Sequence, residues 1–380
     1  MSRKIFQSAI LVFIVLVVLS LAISGCEKQE KTIKIGAILP LTGTASENGE
    51  FQKQGIEIAA EEINSAAGIN HKKLEIIFGD SKNEAKEAIS LFTKFSDVDK
   101  LPIVICTMSG ISAPLSSYVA GMQQHNTVLF ATVASAPGIA KKSDWVFRSF
   151  VTSDVEAAKT ADFAYREVKL RKMAILYVND DYGLGGYNVF KTEFEKLDGE
   201  IVFAEAFEKG ATDFRTTIAK MKTTNSQGVY VVGYDKSYAL LIKQIGESQV
   251  KAQLFSTVSL SVPSWLQLAG SSADGAYLTV SMFNANPSDS ATVKFMNVYR
   301  QKYNREPNYG SAVTYSITRM IASAIEKKGY SAEAIRQGLL ETKEFHTLVG
   351  DVSIDSDREG PMPVRIMKIE AGRVAPLAAK

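Results

Sequence analysis

Cysteine and histidine are scarce: two cysteines and three histidines in 380 residues. The cysteines are Cys26 and Cys106, and His71, His125 and His346 stand far apart without acidic neighbours at ligand spacing. Neither a disulfide framework nor a zinc site is therefore expected. Cys106 ends the apolar run Ile103–Cys106 and reads as a buried strand thiol, not a nucleophile. There is no G-x-S-x-G elbow, no H-E-x-x-H, no G-x-x-x-x-G-K and no C-x-x-C. The glycines of Tyr182–Gly186 are wrongly spaced for a dinucleotide loop, and no ribose-binding acid follows them. Nothing here builds an enzyme, and no cofactor is expected. An excess of charge of one sign is missing too: 43 Lys and Arg face 41 Asp and Glu, which leaves no footprint for nucleic acid or an anionic membrane surface. Short-period repeats and low-complexity tracts are likewise absent.

One long apolar run exists, at the start. Arg3 and Lys4 precede the apolar stretch Ala9–Ile23, which closes on Ile23-Ser24-Gly25-Cys26. The stretch is short for a membrane span and small residues precede the cysteine, the pattern of a cleaved signal peptide. Ile-Ser-Gly-Cys resembles a bacterial lipobox. The expectation is a signal peptide over 1–25, Cys26 as the lipidated first residue, and 26–31 as a short charged tether. An uncleaved anchor is the alternative, and both place the body outside the cytoplasm, in the periplasm or at the cell surface. What remains suffices for two domains of about 150 residues each.

From Thr32 onward, strand-like and helix-like segments alternate. The strands expected are Thr32–Leu39, Lys73–Phe78, Pro102–Cys106, Thr127–Ala131, Lys172–Val178, Glu200–Ala206, Gly228–Val232 and Gln253–Ser256. Several read as continuous apolar runs, as parallel strands covered on both faces do, and the βαβ rhythm predicts an α/β fold of doubly wound parallel sheets. The rhythm restarts after Trp145–Arg148, which predicts two lobes. Beyond Gly275–Val280 come helices over Ala291–Tyr303, Gly310–Lys327 and Ser331–Leu340. A tail follows with strands at Asp351–Ile354 and Pro363–Ile369.

Five segments carry a resemblance: Thr32–Gly55 with its strand, P-x-T-G turn and helix; Ala59–Ile69; Asn179–Phe190; Pro307–Gly329; and Leu348–Ile369. In this order and spacing the chain resembles the branched-chain amino acid binding proteins of the Leu/Ile/Val-binding type, which have the type I periplasmic-binding fold. The resemblance implies a lobe of 32–152 plus 282–347, a second of 153–281 plus 348–380, and a hinge of three crossovers between them. It also implies a monomeric solute-binding protein that hands a small carboxylate-bearing ligand to the membrane permease of an ABC transporter, with membrane contact through the lipid alone. The same fold serves ligand sensors for signalling receptors, which stands as the second class of function; an enzyme is the third.

The resemblance also assigns site residues. Hydroxyls and amides at a helix start can cap the helix or share their donors with a ligand carboxylate, which the positive end of the helix dipole favours. The position for the first hydroxyl is Ser112 by ungapped alignment, or Ser109 with one gap. Ser135 supplies the second, in a loop whose exposed amides include Val133. Tyr182 and Tyr234 match cleft aromatics on the other lobe, and Asn48 falls where relatives often have a tyrosine. Ser259 stands where amino-acid binders commonly have an acid for the ligand's ammonium, and a hydroxyl cannot supply that charge-assisted pair. Asp235 is a candidate replacement or merely a helix start, so an aromatic or keto acid without an amine stays open as ligand.

Overall fold

The computed structural model describes residues 32–281, 283 and 289–377. The expected signal peptide and tether, including Cys26, lie outside the described residues.

The first sheet has the strand order β11-β5-β4-β3-β1-β2. Its strands are β1 (Thr32–Leu39), β2 (Lys73–Asp80), β3 (Ile103–Thr107), β4 (Val128–Thr132), β5 (Val146–Ser149) and the short β11 (Glu359–Gly360). All pair in parallel. β3 and β4 are buried at every position, which is why their sequences show no alternation. Helices α1 (Ser46–Ser65), α2 (Ala85–Thr93) and α3 (Ser109–Ala120) make the crossovers.

The second sheet repeats the order. β7 (Glu200–Phe207), β6 (Lys172–Val178), β8 (Gly228–Val232), β9 (Gln253–Ser256) and β10 (Tyr277–Ser281) are parallel. An antiparallel pair, β12 (Val364–Glu370) and β13 (Arg373–Pro376), extends that edge. Its helices are α4 (Ser153–Arg166), α5 (Asp181–Glu195), α6 (Arg215–Lys222), α7 (Lys236–Glu247) and α8 (Pro263–Ala269). The remaining helices, α9 (Ser290–Tyr303), α10 (Tyr309–Lys328) and α11 (Ala332–Leu340), return to the first lobe. Tyr303 Oη donates to Glu57 on α1 (2.8 Å), and Thr314 Oγ1 donates to the Gln52 carbonyl (2.8 Å).

The two-lobed α/β architecture is the one the sequence implies, but the tail departs from expectation. The chain does not cross to the second lobe at 348. Leu348 N–H donates to Ser316 Oγ on α10 (3.2 Å), and Glu359–Gly360 pairs with Arg148–Ser149 of β5. Crossing follows Gly360. Asp351–Ile354 is not a strand either: Val352 makes only an isolated bridge to Phe345. A buried ion pair holds this arrangement, with Arg148 Nε donating to Glu359 Oε2 (2.5 Å) and Nη1 to the Ala134 carbonyl (3.1 Å). Among the described residues, no helix is long and apolar enough to cross a membrane.

Candidate functional site

In each sheet the strand order reverses between the first and third strands in sequence, β1 and β3 in one lobe, β6 and β8 in the other. Ligands of open α/β sheets bind outside the carboxyl ends of strands at such switch points. Here the two switch points face each other. Between them lies a small cavity, about 20 Å³. It is lined by Met108, Ser109, Val133, Ser135, Phe150 and Tyr309 from one side and Tyr182, Tyr234, Val258 and Ser259 from the other. A larger groove, about 930 Å³, passes between Pro263, Arg300, Glu306 and Arg373 but touches no residue at these switch points.

The first-lobe wall is built from two strained turns. Met108 and Val133, just beyond β3 and β4, have φ of +68° and +48°, unusual for side chains of this size. Such strain persists only where surrounding structure enforces it, commonly at functional sites. Met108 N–H donates to the Val133 carbonyl (3.2 Å), and Ala136 N–H donates to Ser109 Oγ (2.9 Å), so the two loops brace each other. Met108 offers α3 no side-chain cap. The Ile111 and Ser112 amides bond back to the Met108 carbonyl, leaving the Ser109 and Gly110 amides at the helix tip outside the helical ladder.

The structure brings Ser109, Val133 and Ser135 to the cavity but not Ser112. α3 begins four residues earlier than the Ala113 start expected from sequence, so position 112 has already turned inward. Ser112 is fully buried and donates to Cys106 Sγ (3.3 Å). Burial pushes the Cys106 thiol up to about 12, which keeps it inert at neutral pH. Asn48 stays one layer back, its amide near Met108 Sδ (4.0 Å).

On the second lobe Tyr182 and Tyr234 stand with ring centroids 5.8 Å apart, and Ser259 lies beside them on the cavity wall. Tyr234 Oη donates to Asp180 Oδ2, while Asp180 Oδ1 caps α5 by accepting from the Tyr182 and Gly183 amides (3.0 and 3.1 Å). Burial raises the Asp180 pKa against these hydrogen bonds and the nearby Lys209 charge. Asp235 does not reach the cavity. Its Oδ1 accepts from Ser237 Oγ and the Tyr238 amide (3.2 Å) at the start of α7, and its Oδ2 accepts from the Gly210 amide (3.3 Å) in the loop after β7, so both oxygens are already engaged.

Sequence reasoning missed Met108, Phe150, Val258 and Tyr309 as lining residues. Phe150 and Tyr309 stack at 6.1 Å. Tyr309 opens α10 behind Asn308, whose side chain and Ser311 form a reciprocal cap. That N-x-x-S pattern was the available signal for the helix start. Nothing local announces that this start reaches the cleft.

Two doubly wound lobes whose strand ends close on one another define a bilobal solute-binding protein. The chain belongs to the periplasmic binding protein family, whose model matches residues 32–373. It is 26% identical over 339 residues to Leu/Ile/Val-binding protein homolog 1 of Brucella abortus, covering 88% of this chain and 89% of that one. It is also 26% identical over 320 residues to the leucine-, isoleucine-, valine-, threonine- and alanine-binding protein of Pseudomonas aeruginosa, covering 82% and 84%. Among solved structures, the branched-chain amino acid transporter substrate-binding protein LivJ of Streptococcus pneumoniae, in complex with isoleucine, superimposes with a TM-score of 0.83. It is 27% identical, with 90% of this chain and 97% of that one covered.

Proposed function

We propose that this chain is the solute-binding component of an ABC importer and takes a branched-chain or related amino acid between its lobes. The observation that carries the reading is the meeting of two strand-end walls: an uncapped helix tip with the Ser109 and Ser135 hydroxyls, opposite Tyr182 and Tyr234. Helix-tip amides and hydroxyls suit a carboxylate. Aromatic and aliphatic surface from Phe150, Tyr182, Val258 and Tyr309 suits an apolar side chain. The relatives named for leucine, isoleucine and valine support the same class of ligand.

A cavity this small cannot admit such a ligand while the lobes are together, so binding proceeds through a hinge motion about the crossovers. The partner is the transporter's permease. The protein acts as a monomer, held outside the cytoplasm by a lipid on Cys26.

A thermal-unfolding screen with amino acids and small organic acids tests the reading. A true ligand at 100 times its dissociation constant stabilises the fold by about 2.7 kcal/mol. A flat response to every compound would sink it. The lining itself contains no charged side chain among the described residues, so on the lining alone an amine-free carboxylic acid fits equally.

A further inference from the structure

Glu156 stands in the first turn of α4 and is 1% exposed. Thr279 Oγ1 donates to its Oε1 (2.9 Å); the Val258 amide and the Ser135 hydroxyl stand close enough to favour the charged form, but among the described residues neither makes a hydrogen bond of good geometry to Oε2. A buried carboxylate oxygen left unpaired costs a few kcal/mol and calls for an explanation. Cationic side chains do not provide one. The groups acting on the carboxyl are Thr279 on β10, the Val258 amide and Ser135, with Tyr182 of α5, Tyr230 of β8, Tyr238 of α7 and Tyr309 of α10 around it. No lysine or arginine is among them. Ser135, Val258, Tyr182 and Tyr309 are themselves walls of the cleft cavity, so the carboxyl sits directly behind the lining.

We propose that Glu156 is the ammonium acceptor of this binding site, so that the ligand carries a primary amine beside its carboxylate. The inference rests on the solute-binding reading above and sharpens it. The acid is absent at Ser259, on the loop after β9, and present instead on α4, which approaches the same point from the crossover side. Ser153 N–H donates to the Ser135 carbonyl (2.7 Å), fixing this first turn of α4 against the loop that lines the other wall. A ligand held by its carboxylate at the α3 tip extends its amine past Ser135, towards Oε2. The ion pair then forms out of water, where each partner compensates the other's burial.

The sign of the pH dependence follows. Burial raises Glu156 to about 7, so without a cation the group is half-protonated near neutrality. Binding an ammonium requires the carboxylate and releases a proton. Affinity therefore rises as pH increases through about 7 and levels off above it.

The test uses calorimetry on the full mature protein, with the common amino acids and their amine-free analogues, leucine against 4-methylpentanoate being the first pair. The wild type should bind an amino acid more tightly than its analogue. Glu156→Gln, which keeps the Thr279 contact, should weaken the amino acid by roughly 100-fold or more while leaving the analogue unchanged or improved. The variant should also lose the pH slope and the proton release seen by varying buffer ionisation. If the variant does not fold, the wild type decides: equal affinity for the amino acid and its amine-free analogue, with no proton release on binding, overturns the assignment. Amino-acid binding that survives Glu156→Gln, or a wild type that binds only amine-free acids, overturns it too and leaves the solute-binding reading standing. Failure of every compound to bind removes both.

Discussion

At the scale of single residues, the two candidate serines separate by what their hydroxyls already do. Ser109 Oγ lies on the cavity wall and accepts the Ala136 amide, which leaves its own proton free to donate to a carboxylate. Ser112 spends its proton on Cys106 Sγ. Ser109→Ala should thus lower affinity for the identified ligand by about 1.5–3 kcal/mol, the range for hydrogen bonds to charged groups, while Ser112→Ala should leave it nearly unchanged. Calorimetry on the two variants checks this, and the reverse ranking would move the carboxylate site down the helix. The family resemblance pointed to Ser135 and both tyrosines, which line the cavity, but left the first hydroxyl open between Ser109 and Ser112. Glu156 was not legible in the sequence. An acid in the first turn of a helix reads as a partner for the helix dipole, and only packing places it behind Ser135, Val258, Tyr182 and Tyr309. Asp235 misled in the opposite sense: it reads as a spare acid beside Tyr234 but is consumed by capping α7 and by the Gly210 amide.

Among the elements, α3 bears most on closure. A Cβ at Gly110 would stand 2.8 Å from Tyr234 Oη and 3.1 Å from Asp180 Oδ2, so the helix tip meets the second lobe with no side chain between them. The Asp180 carboxylate lies against the positive end of the α3 dipole, an attraction between lobes that exists only when they are together. Gly110→Ala should leave the isolated lobe as stable or slightly more so, since alanine favours helix. It should oppose full closure and cost about 1–3 kcal/mol of ligand affinity, the usual penalty for overpacking. Titration with the ligand, alongside thermal unfolding of the free protein, separates the two effects. Unchanged affinity would show that binding does not require this approach. The strand β11 teaches a related lesson. Its two residues carry no periodicity of their own, and they join the first sheet because Glu359 must meet the buried Arg148, 211 positions away in sequence.

For the molecule as a whole, the proposed function requires two lobes that part and close and a tether that holds them at the membrane. If Cys26 carries the lipid, Cys26→Ser should abolish labelling by a radioactive fatty acid and stall processing of the precursor. Labelling that persists in the variant would remove the anchor. The sequence by itself determined the α/β class, the two-lobe division and the strand-end loops, because buried parallel strands need continuous apolar runs and their turns need small or polar residues. Tertiary structure alone decided which serine faces the cavity between the lobes, where the tail crosses between them, and which acid lies behind that cavity's lining. Each of those depends on contacts between residues far apart in sequence, where burial and the need to pair charge outweigh any local preference.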